Sequence, residues 1–348
     1  MENRYTQSLK LLETVVTDNS NIKDYLVNPD SLNTFIESNN VKIGFSQIED
    51  AYSLHNNAIS QLSNKLGLPN AYMVNLHNGE QWQKELFTEN VNLHLIHNNQ
   101  KPVLLRTVNS QLKGYLSNSF ERYNSIRVLG QFLESFKLNG MELREVYYDG
   151  ITHFIELNNK NNLIMINNQP HYFGVQYRNS DFGRSALSLE IMLIKQICSN
   201  GMVMKNKLRQ VHKSRTIEIG ESFVLSADTM EKETQAKLSL IKDVANHLCS
   251  EEVQKEIVDI YTKASEVETE PEKVFKVLEN IGASKGDIDF IQNLLIENNP
   301  NTGVVEGGIV VRTANAVSYM GNNISLDNAE NVNRYKEMSG KLLQHFVS

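Results

Sequence analysis

Few residues in this chain of 348 are spaced for covalent chemistry. His94 and His97 stand three apart, which on a helix puts both imidazoles on one face, as a pair sharing zinc would need. No third ligand or cysteine cluster lies near them in sequence, so an ordinary surface or packing pair is expected and no metal. Glu190 projects from an otherwise apolar run. A carboxylate there is either paired with a core arginine such as Arg106 or Arg178, or held as a functional acid or ligand with a raised pKa. An active site would need Glu190, Asp181 and a histidine such as His171 to converge in one pocket. The glycines of GGIVVRTANAVSYMGNN lack both the Gly-Lys-Ser/Thr of a phosphate loop and the spacing of a dinucleotide fingerprint. Gly-x-Ser-x-Gly, His-Glu-x-x-His and Cys-x-x-Cys do not occur. The expectation is a protein that is not an enzyme and needs no cofactor.

What the sequence does concentrate is charge. The net charge is −7, but residues 1–100 carry −5, residues 101–215 carry +8 and residues 216–348 carry −10. Lys205, Lys207, Arg209, His212, Lys213 and Arg215 fall within eleven positions that hold no acid. A strand over the first part would alternate Lys205, Lys207 and Arg209 onto one face. Such an edge suits phosphates, which are bound by charge neutralisation. Equally, lysines on an edge strand prevent edge-to-edge aggregation.

The elements that must position these residues divide the chain into three. Residues 1–100 read as a helical, peripheral segment. Leu9, Leu12, Val15 and Val16 make an amphipathic start, Asn19 to Asn39 is a polar join, and helical spacing runs from Ala51 to Leu66 before Gly67 and Pro69 stop it. Residues 86–97 suit a further short helix.

Residues 101–220 form a basic α+β core. PVLLRTV and LKGYLSNSF read as strands, and Ile126, Leu129, Phe132, Leu133 and Phe136 line one face of a helix. MELREVYYDGITHFIEL reads as a hairpin hinged at Asp149-Gly150, and NLIMINN and HYFGVQYRN as further strands. From Gly183 to Cys198 the apolar residues suggest a buried helix stopped at Asn200-Gly201.

Residues 221–348 are acidic and helical, with spans at 226–248, 251–265, 271–280, 287–297, 311–319 and 329–346. The expected fold is α+β: a central, mostly antiparallel sheet backed by a long buried helix, with helical N- and C-terminal segments. No apolar run approaches the roughly 20 residues that cross a bilayer. The two cysteines and an N-terminus without an apolar core point to the cytoplasm. The abundant asparagine suggests an AT-rich genome and no mechanism.

Four segments resemble the phage/plasmid-like proteins grouped as domain of unknown function 932: LGLPNAY (66–72), LLRTVNSQLKGYLSNSFERYN (104–124), RNSDFGRSALSLE with ICSNGMV (178–203), and RTANAVSYMGNNISLDNAENVNRYKEMSGKLL (312–343). The order matches over roughly residues 50–345. The second segment departs from the family's leucine-serine, acid, arginine-tyrosine run by an insertion or shift. The resemblance implies a mobile-element origin. More loosely, it implies a likeness to phage single-strand annealing proteins, oligomers in which a twisted sheet is backed by a long helix.

On that likeness the expected function is single-stranded DNA binding and annealing by a homo-oligomer. Arg122, Arg127, Lys205, Lys207, Arg209, Lys213 and Arg215 would contact phosphates. Tyr115, Tyr123 and Tyr177 would be either stacking surfaces for bases or packing residues. The alternative is an interaction or counter-defence protein that binds a host protein through its acidic segments.

Overall fold

The computed structural model describes residues 3–45, 48–97, 101–196, 201–210, 226–304, 307–324, 326 and 328–347, with backbone alone at 48–49 and 205–210. The chain is α+β, with helices at both termini. In order it runs α1 (Arg4–Ser20), β1 (Ile22–Val27), β2 (Leu32–Glu37), β3 (Asn40–Phe45), β4 (Ile48–Leu54), α2 (Asn56–Leu66), α3 (Asn70–Asn78), α4 (Gln81–His97), β5 (Val103–Val108) and β6 (Gln111–Ser117). It continues through α5 (Ser125–Leu138), β7 (Glu142–Tyr148), β8 (His153–Asn158), β9 (Ile164–Ile166), β10 (Gln169–Asn179), β11 (Leu187–Lys195) and β12 (Gly201–Gln210). Helices α6 (Ala227–Leu248), α7 (Glu251–Glu266), α8 (Pro271–Asn280), α9 (Lys285–Glu297), α10 (Ile309–Asn322) and α11 (Ala329–Val347) complete it.

Two sheets organise the molecule. The first has the order β1-β5-β6-β4-β3-β2, antiparallel except where β4 meets β6. The helical segment expected over residues 1–100 therefore holds four strands between α1 and α2. The polar join hides a hairpin, because Ser38 and Asn39 both take positive φ (49° and 63°) and Glu37 pairs with Asn40. That is a two-residue turn of the type whose twist matches paired strands, a conformation asparagine tolerates well. Asn167 and Asn168 repeat it between β9 and β10. The asparagine richness thus has a structural use. Val41, Ile43 and Phe45 alternate into a core shared with Ile59 and Leu62 of α2 and Phe87 and Val91 of α4.

The second sheet has the order β12-β11-β10-β8-β7 and is antiparallel throughout, with β9 paired to the start of β10. Here the buried helix expected over 183–198 is replaced by strand β11, and Gly201 opens β12 instead of capping a helix. Leu187, Leu189, Ile191 and Leu193 face one core, shared with Val128, Phe132 and Phe136 of α5. Ser188, Glu190, Met192 and Ile194 alternate with them and are equally buried. A strand covered on both faces is apolar nearly throughout, so its period of two is masked and it mimics a buried helix.

The backing is supplied elsewhere, by α5 on one face and α11 on the other. Phe132 packs on Tyr177 at 5.0 Å between ring centroids. Across the sheet, Lys336 of α11 reaches Glu156 and the Tyr147 hydroxyl at 2.5 and 2.8 Å. Glycine lets α11 approach β12: a Cβ on Gly340 would stand 1.7 Å from the Val203 carbonyl oxygen. The acidic helices α6 to α9 fall where helical spacing places them, and Ser226, Ser250 and Ser284 cap α6, α7 and α9.

Candidate nucleic-acid interface

The turn after β10 ties the two sheets together. Ser180 donates to the Ile151 carbonyl, and the Phe182 carbonyl accepts from Asn57 and Gln61 of α2. Asp181 accepts from Ser125 and, at 2.7 Å, from Asn19. Arg106 donates to both Asp24 oxygens, at 2.8 and 2.9 Å, and to the Asp181 carbonyl at 2.8 Å. Gly183 is required twice over, since φ is +75° and a Cβ would stand 2.5 Å from Leu116. These residues, RNSDFGRS, make a joint.

That joint fixes where the expected phosphate contacts lie. Register carries a row across the second sheet: Arg209 of β12 is opposite Ser188, Ser188 opposite Arg178, and Arg178 opposite Phe154. With strands about 4.8 Å apart, the backbones of Arg209 and Arg178 lie about 10 Å from each other. The Tyr123 hydroxyl donates to Asn179, next to Arg178, so Arg122 belongs to the same end of the sheet. Arg122 is half-buried, and its Nε finds no partner among the described residues. Arg127, in the first turn of α5, is exposed and pairs with Glu231 of α6 at 2.6 Å.

Lys205, Lys207 and Arg209 lie on an edge strand, as expected of a cationic strand. Two register shifts interrupt its pairing with β11, and one of them falls at Lys207, between Lys205 and Arg209, so a strict period-two count does not hold across the three positions. Lys213 and Arg215 lie outside the described residues.

The tyrosines are packing residues. Tyr115 and Tyr177 are fully buried, and Tyr123 is half-buried beneath Lys237, whose Nζ stands 4.8 Å from the ring centroid. None offers an open ring face to a base.

The acids and histidines weighed for catalysis do not meet. His171 is opposite Lys195 and Glu190 opposite Gln176, which puts about 17 Å of strand between them. Asp181 lies beyond the far end of β10. Glu190 does not pair with Arg106, which is committed to Asp24. It lies beneath α11, where burial and the Glu337 carboxylate push its pKa up to about 7 against the pull of Arg178 and Lys341.

The histidine near Asp181 is instead His153, buried, stacked on Tyr177 at 5.7 Å and edge-on to Tyr148. Burial lowers its pKa to about 4, opposed by Asp181 and Asp149. It lines a cavity of about 10 Å³ with Asp18, Asn19 and Asp181. That is room for one water molecule. No sequence motif marks His153; only the hairpin register carries it there.

Among the described residues, no group of three or more His, Cys, Asp or Glu is placed to hold a metal ion. Among the same residues, no helix is long and apolar enough to cross a membrane. Comparison with protein-family models, curated proteins and solved structures returned no match.

Proposed function

We propose that this protein binds and anneals single-stranded DNA, without a cofactor and as a homo-oligomer, in the manner of the phage and plasmid proteins its sequence resembles. The observation that carries the reading is an edge strand, β12, whose sequence holds Lys205, Lys207 and Arg209 and leads on to Lys213 and Arg215 without an acid. An edge keeps one side of a strand open to a second chain, and the three cations on it neutralise phosphates without reading bases. Arg122 and the Arg178–Arg209 row lie at the same end of the sheet. Base pairing between two captured strands would supply sequence specificity.

The test is binding of a fluorescent single-stranded oligonucleotide across a salt series, beside a variant with Lys205, Lys207, Arg209, Lys213 and Arg215 changed to Ser. Micromolar or tighter binding that falls steeply with salt, and is lost in the variant, is the expected result. No binding at low salt, by the parent protein or by a variant relieved of the acids that face its cations, would overturn it.

A second reading, capture of a basic host or phage protein through the acidic C-terminal helices, is favoured by exposed Phe290 and Ile296 on α9. They lie in the segment of net charge −10. That reading gains if the oligonucleotide fails to bind.

A further inference from the structure

A groove of about 300 Å³ runs between the end of β10 and α11, lined by Arg178, Arg334, Lys341, Glu330, Glu337 and Asn333. Residues 330, 334, 337 and 341 recur at three- and four-residue intervals, so α11 presents them as one stripe. Each acid in the stripe engages a cation of the basic centre. Glu337 accepts from Arg178 at 3.4 Å and from Lys341 at 3.1 Å, and Glu330 accepts from Arg184.

These pairs are half-exposed: side-chain exposure is 27% and 23% for Arg178 and Glu337, and 38% for both Arg184 and Glu330. In such positions an ion pair contributes little and exchanges partners readily. One carboxylate, Glu337, serves two cations. Arg178 remains underused, since its Nε finds no partner among the described residues while its guanidinium lies 5.1 Å from the Phe154 ring centroid. The floor adds Asn333, 4% exposed, whose amide donates to Glu337 while its Oδ1 finds no partner there. The two acids are seven residues apart, about 10 Å along the helix.

We propose that this groove is a phosphate track for a single-stranded nucleic acid, in which Glu330 and Glu337 stand in the free protein where phosphates stand in the complex. This rests on the single-strand reading above and extends the contact set to Arg178, Arg184, Arg334 and Lys341. The row from Arg209 through Ser188 to Arg178 connects the track to the β12 edge. An incoming strand replaces two carboxylates, so α11 restrains binding by charge mimicry.

The full chain is titrated with a fluorescent oligodeoxythymidine over a salt series, as four proteins: the parent, Glu330→Gln/Glu337→Gln, Arg334→Ser/Lys341→Ser, and the five-fold Ser variant of the β12 strip. Thermal melting checks that each is folded. The glutamine variant is expected to bind about threefold tighter or more, and the groove Ser variant to bind about threefold weaker with a shallower salt slope. If the parent binds and loses binding in the β12 variant while both groove variants match the parent, the track is overturned and the single-strand reading stands. If neither the parent nor the glutamine variant binds at low salt, both are overturned.

Discussion

At the scale of single residues, burial decides what each titratable group does. His153 and His171 are both held neutral by burial, each with a pKa lowered to about 4. A folded pKa below the unfolded value of about 6.5 means that the unfolded chain binds more protons between pH 4 and 6.5. Stability therefore rises with pH through that window and is lost as pH falls through it, by up to about 3 kcal/mol for His153. Glu190 works the other way: with a pKa raised to about 7, it withdraws stability as pH rises from about 4.5 to 7. Urea unfolding at pH 7 and pH 4.5 should show His153→Gln losing less stability on acidification than the parent. Equal losses in the two would contradict a neutral, buried His153.

At the scale of elements, amphipathic helices declared themselves and the doubly buried strand did not. Helices α5 to α9 each alternate one apolar stripe with a solvated face, and their spans agree with the spacing to within two or three residues. Strand β11 has no solvated face, and its identity follows from what covers it: α5 on one side and α11 on the other. The hairpin β2–β3 was hidden for a different reason, since Ser38-Asn39 supplies two left-handed residues without a glycine.

The α11 seat on β12 gives the element-scale prediction. Gly340→Ala would drive a Cβ against the Val203 carbonyl and should cost more than about 2 kcal/mol in thermal melting. Gly130→Ala, on an exposed part of α5 where the added Cβ meets nothing within 4 Å, should be neutral or stabilising by up to about 1 kcal/mol. Similar melts for the two variants would show that α11 does not approach β12 as described.

At the scale of the whole molecule, the charge segregation along the chain becomes a set of cross-links. Arg106 and Lys113 of the basic centre pair with Asp24 and Asp18 of the N-terminal segment. Arg127, Arg178 and Arg184 pair with Glu231, Glu337 and Glu330 of the C-terminal one. Among the described residues, the most deeply buried link runs the opposite way, from Lys336 of α11 to Glu156 of β8, both side chains fully enclosed. Glu156 also holds Arg144, and Tyr147 bridges Lys336 to Glu145. Removing one member of such a cluster strands the others without solvent. Lys336→Ala should therefore cost about 3 kcal/mol or more. A denaturant midpoint unchanged from the parent would show the cluster to be solvated.

By itself the sequence determined the helical C-terminal region, the β7–β8 hairpin and the cationic run from Lys205 to Arg215. In each the signal is local: a period, a turn pair, or adjacent charges. Only the tertiary structure decided that residues 187–195 are a strand, because that depends on two layers packed from distant parts of the chain. It also decided that Arg178, Arg334 and Lys341 line one groove, and that acids of the C-terminal segment pair with cations of the basic centre, Glu231 with the expected contact Arg127 and Glu337 with Arg178. Those juxtapositions join distant residues, 159 positions apart in the Arg178–Glu337 pair, and no spacing rule spans that distance.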